Sequence, residues 1–266
     1  HLIVEASEAV PWRRGIAPYR GTCETVSVVK RRSPPLPSPA QRQWFRRRLL
    51  TWYRANGRDL PWRNTRDPYH ILVSEVMLQQ TQVDRVLPKY EEWLERYPTL
   101  ETLAEAQEAD VVKTWYPLGY NIRPRRLQTI ARESVERYGG VLPSDEETLL
   151  SFKGIGQYTA GAVMSFAFGQ RAAILDTNVV RVLFRIFVGK GEPKSHRMIK
   201  RLWELSRAML PHKHVFDFNQ ALMDFGATVC SARAPLCPTC PMKRGCLTVL
   251  KPTRRPASKP RLRKVR

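Results

Sequence analysis

The chain has 266 residues, 42% of them hydrophobic, which is enough to bury one large core or two modest ones and excludes a disordered or fibrous protein. Its 45 lysines and arginines stand against 24 aspartates and glutamates, and the formal charge of +21 calls for a polyanionic partner, nucleic acid before an anionic membrane surface. No run approaches the roughly 20 apolar residues of a membrane-spanning helix, since the most apolar stretches are interrupted by charge, so no membrane association is expected.

In chain order, residues 1–37 come first, with six basic and three acidic side chains and no lasting apolar period. They close on Arg31-Arg32-Ser33-Pro34-Pro35-Leu36-Pro37 and read as a disordered arm, with order beginning near Ser38. Helical periods then dominate. Val83, Val86, Leu87, Tyr90, Leu94 and Tyr97 share one face, and Leu127, Ile130, Ala131, Val135 and Tyr138 share another. Gly139-Gly140 stops the second helix, and Ser144 with Glu147 has capping-box spacing for the next. Strand alternation is almost absent and no solenoid period is found, so the fold class is all-α.

From Leu149 to Met164 a Gly154-Ile155-Gly156 turn joins two apolar-periodic pieces, the pattern of a helix-hairpin-helix. The glycines permit a tight turn and close approach by a phosphate, and the second helix offers its free N–H groups to that anion. Such a turn fixes register on DNA without reading sequence, although taken alone it is equally an ordinary joint between helices. Downstream stands Ile174-Leu175-Asp176-Thr177-Asn178-Val179, where Asp176 precedes a new helix and can serve as its N-cap.

Four of the five cysteines, Cys230, Cys237, Cys240 and Cys246, form a C-x6-C-x2-C-x5-C loop in which Pro235, Pro238 and Pro241 favour tight turning. Four thiolates on one loop suit a [4Fe–4S] cluster or a four-thiolate zinc site, and a disulfide set is the third option. The single C-x2-C knuckle favours the cluster. Cys23, in the arm, reads as an uninvolved thiol. Residues 251–266 carry eight basic and no acidic side chains, so the tail from 248 reads as a disordered arm that binds phosphates without specificity.

Hairpin, downstream aspartate and cysteine loop together resemble the endonuclease III superfamily of helix-hairpin-helix DNA glycosylases, from about Ser38 to Leu247. Within it, Leu60-Pro61-Trp62-Arg63, Asp67-Pro68-Tyr69 and the run from Ser74 to Val83, with Glu75 and Gln79-Gln80-Thr81, are similar to the A/G-specific adenine glycosylase (MutY) branch. The resemblance implies two helical domains, a six-helix barrel over 69–173 bearing the hairpin and a [4Fe–4S] domain pairing 38–68 with 174–247, with the active site in the cleft between them. It implies that Glu75, whose pKa its apolar helix would raise, is the general acid toward adenine N7, and that Asp176 stabilises the sugar cation, with Asn178 orienting carboxylate and water. Tyr158 stands where strand-cutting relatives carry an attacking lysine; it can hydrogen-bond to the catalytic carboxylate but cannot form an imine, so a monofunctional enzyme is expected.

By the same resemblance Arg58 and Arg63 border the base pocket, Gln79, Gln80 and Thr81 meet the duplex, with Gln80 entering the stack, and Tyr120 wedges beside the opposite base. Lys153, Gly154, Gly156 and Thr159 at the hairpin, with Arg233 and Arg244 among the cysteines, would hold phosphates. The implied partner is mismatched double-stranded DNA, bound by a monomer in a reducing compartment: cytoplasm and nucleoid in a prokaryote, nucleus or mitochondrion in a eukaryote.

Three features depart from the branch. Pro117 stiffens the wedge loop Trp115–Pro124, Thr177 follows the aspartate where glycine is frequent, and only residues 248–266 follow Leu247 in this sequence, where the branch usually carries a C-terminal domain that reads 8-oxoguanine. The last keeps open a thymine or uracil mismatch glycosylase of the same superfamily. A noncatalytic iron–sulfur DNA-binding protein is the alternative from another class.

Overall fold

Ser38 opens the first helix where the sequence places the start of order: its hydroxyl accepts the Gln41 N–H, the Gln41 side chain accepts the Ser38 N–H, and Pro39 fills the first helical position. A computed structural model describes residues 35–250. Residues 1–34, with Cys23, and the tail from 251 onward lie outside the described residues.

Twelve α-helices and no strand occur among the described residues, in keeping with the all-α expectation. They are α1 (Pro39–Asn56), α2 (Pro68–Met77), α3 (Val83–Arg96), α4 (Leu100–Glu105), α5 (Glu108–Trp115), α6 (Ile122–Tyr138), α7 (Glu146–Ser151), α8 (Gln157–Phe166), α9 (Thr177–Phe187), α10 (His196–Met209), α11 (Val215–Asp224) and α12 (Leu247–Leu250). One packing group is local in sequence: α2 lies against α3, α6 and α8, while α6 also covers α4 and α5. Its centre is a chain of edge-on rings, Trp93 against both Tyr97 and Trp115, pinned by Trp93 Nε1 donating to Tyr69 Oη and Tyr69 Oη donating to the Tyr97 carbonyl. Each such ring pair contributes about 0.5–1.5 kcal/mol beyond the area it buries.

The second group is non-local. Helix α1 crosses to α10 and α11, with Phe45 fully buried against Phe187 and Phe218. Arg46 closes the C-terminus of α10 by donating to the carbonyls of Ala208, Met209 and Leu210. The groups meet where Asn219 on α11 donates to Ser165 Oγ on α8 and to the Ala172 carbonyl, and where Ser206 on α10 donates to the Ile174 carbonyl. The segment between α8 and α9, which ends on Asp176, is thus held at two of its carbonyls by α11 and α10.

Three sequence expectations shift. Asp145, not Ser144, caps α7, its carboxylate accepting the Thr148 N–H at 2.8 Å, while the Ser144 carbonyl is taken up by Gln170. Ser134 replaces Val135 on the buried face of α6, because it sits seven residues from Leu127 and Val135 sits eight, which turns Val135 toward solvent. Thr248–Leu250, assigned to the tail, belong to α12. The predicted stop at Gly139 holds: it adopts φ 65°, and both it and Gly140 donate to the Ser134 carbonyl.

Candidate active site and cysteine loop

Asp67 starts α2 by accepting the N–H groups of Tyr69 and His70, with Pro68 at the first position, and this fixes the rotation of the helix. Ile71, Leu72, Val73, Val76 and Met77 are buried around Glu75, which is itself only 4% exposed. No backbone N–H reaches its carboxyl. Burial therefore pushes Glu75 up to about 7, with the Asp176 carboxylate adding to the rise and the Tyr158 hydroxyl and Arg63 opposing it. Tyr158 Oη donates to Glu75 Oε2 at 2.6 Å and leans on Met223 Sδ at 3.4 Å.

Asp176 is built differently. It is the N-cap of α9: Oδ1 accepts the Val179 N–H at 2.6 Å and Oδ2 the Asn178 side-chain amide at 2.8 Å. Burial raises its carboxyl above the ordinary range, opposed by these two donors and by Arg181. The end of a helix, with its positive dipole, is a place for a carboxylate that stays charged. Capping and a place in the cleft coexist in the one side chain.

Both carboxyls line a cleft of about 820 Å³ together with Tyr158, Asn178, Arg58, Arg63, Gln79, Gln80 and Thr81. That size suits a small-molecule or extruded-base site. The two arginines are not free cations. Arg58 Nε and Nη2 and both Arg63 Nη atoms all donate to the fully buried Asp224 at 2.6–2.8 Å. Two guanidiniums on one carboxylate hold Asp224 below its ordinary value despite burial and make this cleft wall stiff.

Tyr158 donates to Glu75, so the expected hydrogen bond to the second carboxylate is not formed. Thr159 is 4% exposed inside α8, which removes it from the hairpin's outer surface. Lys153, Gly154 and Gly156 are exposed between α7 and α8. Gly154 needs its φ of 114°, a conformation closed to side chains, and a Cβ on Gly156 would meet nothing within 4 Å, so an anion can approach its backbone closely. None of these hairpin residues lines the cleft, nor does Tyr120.

Gln80 and Tyr120 are held by a residue the sequence did not single out. Arg123, 4% exposed, donates through Nη1 to the carbonyls of Val76, Met77 and Gln79 and through Nη2 to Thr81 Oγ1 and the carbonyls of Leu118 and Gly119, at 2.6–3.2 Å. Its Cζ stands 5.0 Å from the Trp115 ring centroid and 5.5 Å from that of Tyr120. Gln80 and Tyr120 themselves adopt φ of 56° and 51°, costing about 1–3 kcal/mol each for a non-glycine residue. Trp62, Gln220 and Met223 also line the cleft without having been chosen. Trp62 lies within Leu60-Pro61-Trp62-Arg63, and α11 brings Gln220 and Met223 to the wall through tertiary packing.

The four cysteines ring a separate cavity of about 200 Å³. Among the described residues no histidine or carboxylate lines it, and the four cysteines are free thiols. Four cysteine sulfurs on one short loop are the donor chemistry that an iron–sulfur cluster or a four-thiolate metal site takes, although among the described residues no three of them are grouped closely enough to hold a metal ion. Burial pushes the Cys230 and Cys240 thiols up; Arg185, donating to Cys230 Sγ, opposes this at Cys230. Arg181 links the loop to the cleft: it donates to the Cys230 carbonyl, the Gly226 carbonyl and Asn178 Oδ1. Gly226 allows this contact, since a Cβ there would fall 2.7 Å from that of Asn178. Arg233 and Arg244 are exposed on the cysteine loop.

A family model described as HhH-GPD superfamily base excision DNA repair protein matches residues 73–208. The chain is 45% identical over 211 residues to an adenine DNA glycosylase of Rattus norvegicus, covering 76% of this chain and 41% of that protein. It is 37% identical over 207 residues to a thymine/uracil-DNA glycosylase of Methanothermobacter thermautotrophicus, covering 77% of this chain and 93% of that protein. The solved structure of a thermostable thymine-DNA glycosylase matches with a TM-score of 0.74 at 36% identity, covering 79% of this chain and 97% of that one. The chain thus spans about two fifths of the length of the rat adenine glycosylase it matches.

Proposed function

The chain belongs to the HhH-GPD superfamily of base excision DNA repair proteins, and from that premise we propose that it is a monofunctional DNA glycosylase. Its substrate is adenine mispaired with guanine or 8-oxoguanine, flipped out of duplex DNA. The observation that carries this reading is Glu75, buried, with a pKa near 7 and lining the same cleft as Asp176.

A purine leaves readily only when its ring is protonated, and Glu75 holds a proton for adenine N7 near neutral pH. With Tyr158 donating to Oε2, that proton resides on Oε1. As the C1′–N9 bond breaks, positive charge gathers on the sugar, and Asp176, held by Val179 N–H and Asn178, faces it with negative charge. Water then adds its hydroxide to C1′ and its proton returns to the carboxylates. Among the described residues no amine lines the cleft to form an imine, and by the family resemblance Tyr158 stands where strand-cutting relatives carry the attacking lysine.

We further infer that Cys230, Cys237, Cys240 and Cys246 hold a [4Fe–4S] cluster; when bound, its iron–thiolate bonds cross-link a loop too short for a core of its own. A colourless protein containing zinc in place of iron would remove this assignment.

A second reading has its own support, because the chain covers almost the whole of a thymine/uracil-DNA glycosylase. Duplexes containing A·8-oxoguanine, A·G, T·G and U·G, treated with the protein and then alkali, separate the two. Cleavage at adenine and no borohydride-trapped complex are expected; cleavage confined to T·G or U·G overturns the adenine assignment.

A further inference from the structure

We propose that Arg123 is a positioning residue that holds Gln80 and Tyr120 at a set separation, so that the two enter the DNA stack as one unit. The proposal rests on the reading that both residues engage a duplex from which a base has been extruded. Its basis is a juxtaposition. Two of the three non-glycine residues with left-handed backbone among the described residues are Gln80 and Tyr120, and both border carbonyls held by the same buried guanidinium.

Each Nη of Arg123 has a separate task. Nη1 closes the C-terminal carbonyls of α2, the helix bearing Glu75, and grips the Gln79 carbonyl beside Gln80. Nη2 reaches the Leu118–Gly119 turn beside Tyr120, with Thr81 Oγ1 as a further acceptor. Trp115 reinforces this second turn from beneath, donating from Nε1 to the Gly119 carbonyl, and Arg85 donates to the Pro117 carbonyl from α3. Among the described residues no carboxylate accepts from Arg123. The charge is spent on the carbonyls of two loops, which a fork of fixed geometry spans and a single ammonium does not. Tyr120 remains 60% exposed above this anchor, its ring free to stack while its backbone is not free to move.

The test compares binding to a duplex carrying a tetrahydrofuran abasic analogue opposite guanine with binding to the same duplex undamaged, by fluorescence anisotropy. Gln80→Ala, Tyr120→Ala and the double variant are measured in the wild-type background and again with Arg123→Lys. The expected result is that Gln80→Ala and Tyr120→Ala are non-additive by at least threefold on the abasic duplex. Arg123→Lys should weaken abasic binding by about tenfold, change undamaged binding by less than about twofold, and make the two alanine effects additive. Additivity in the wild-type background overturns the proposal even if the Arg123 variant does not fold, as does an equal loss on both duplexes. Excision is not the readout, so failure of the adenine assignment leaves this outcome legible.

Discussion

Glu75 and Asp176 line the same cleft and burial raises both carboxyls, but the backbone around them answers that rise differently. Glu75 sits inside a helix turn with no backbone donor, buried among aliphatic side chains, and keeps its proton to about 7. Asp176 sits at the start of a helix, where a backbone N–H, a side-chain amide and the helix dipole all favour the charged form. The two carboxyls are suited to the proposed roles of acid and anion because one lies in a helix interior without backbone donors, while at the other a helix start supplies donors that oppose the rise from burial. The separation of roles is therefore a property of secondary structure as much as of the residues chosen.

The contrast can be broken most severely at the acid. Glu75→Gln preserves size and polarity but removes the proton, and single-turnover adenine release is expected to fall by about 10²–10⁴-fold while binding to an adenine-containing duplex is retained. Unchanged turnover would take Glu75 out of the acid role. Asp176→Asn is the complementary change. Asparagine caps a helix as well as aspartate, so α9 should persist and thermal stability should hardly move, yet the rate should drop by about 10²–10³-fold through loss of the anion. A rate near wild type would leave Asp176 as a cap alone.

The same acid carries a stability signature. Between the ordinary value of 4.5 and about 7, the unfolded chain releases the Glu75 proton while the native state keeps it. Stability contributed by this group is therefore full below the lower value and lost as pH rises to the upper one. Glu75→Gln should stabilise the protein at pH 8 by up to roughly 3 kcal/mol, raising Tm by several degrees, with little gain at pH 4. Equal Tm shifts at both pH values would contradict the buried, protonated acid.

Tyr158→Phe gives the finest adjustment. The hydroxyl favours the charged form of Glu75, so removing it should move the alkaline limb of the pH–rate profile upward by roughly one unit, since a hydrogen bond to a charged group contributes about 1.5–3 kcal/mol and one unit corresponds to 1.36 kcal/mol. A limb that stays in place would mean the Tyr158–Glu75 contact does not govern the acid.

What the amino-acid sequence determined by itself is local: the start of order near Ser38 and the helix stop at Gly139 involve atoms only a few residues apart, and the hairpin and the spacing of four cysteines follow from the same short range. The buried setting of Glu75 was legible for that reason too, from the apolar run around it. Tertiary structure alone decided who faces whom. Nothing near Arg63 and Arg58 in the sequence names their partner; α11 brings Asp224 to them from 161 and 166 positions away. Tyr158 meets Glu75 across 83 positions, and Arg123 unites turns that begin 44 and 4 positions from it. A guanidinium or a phenol carries the capacity to bond but not the address of its partner, and only the path of the folded chain supplies that address.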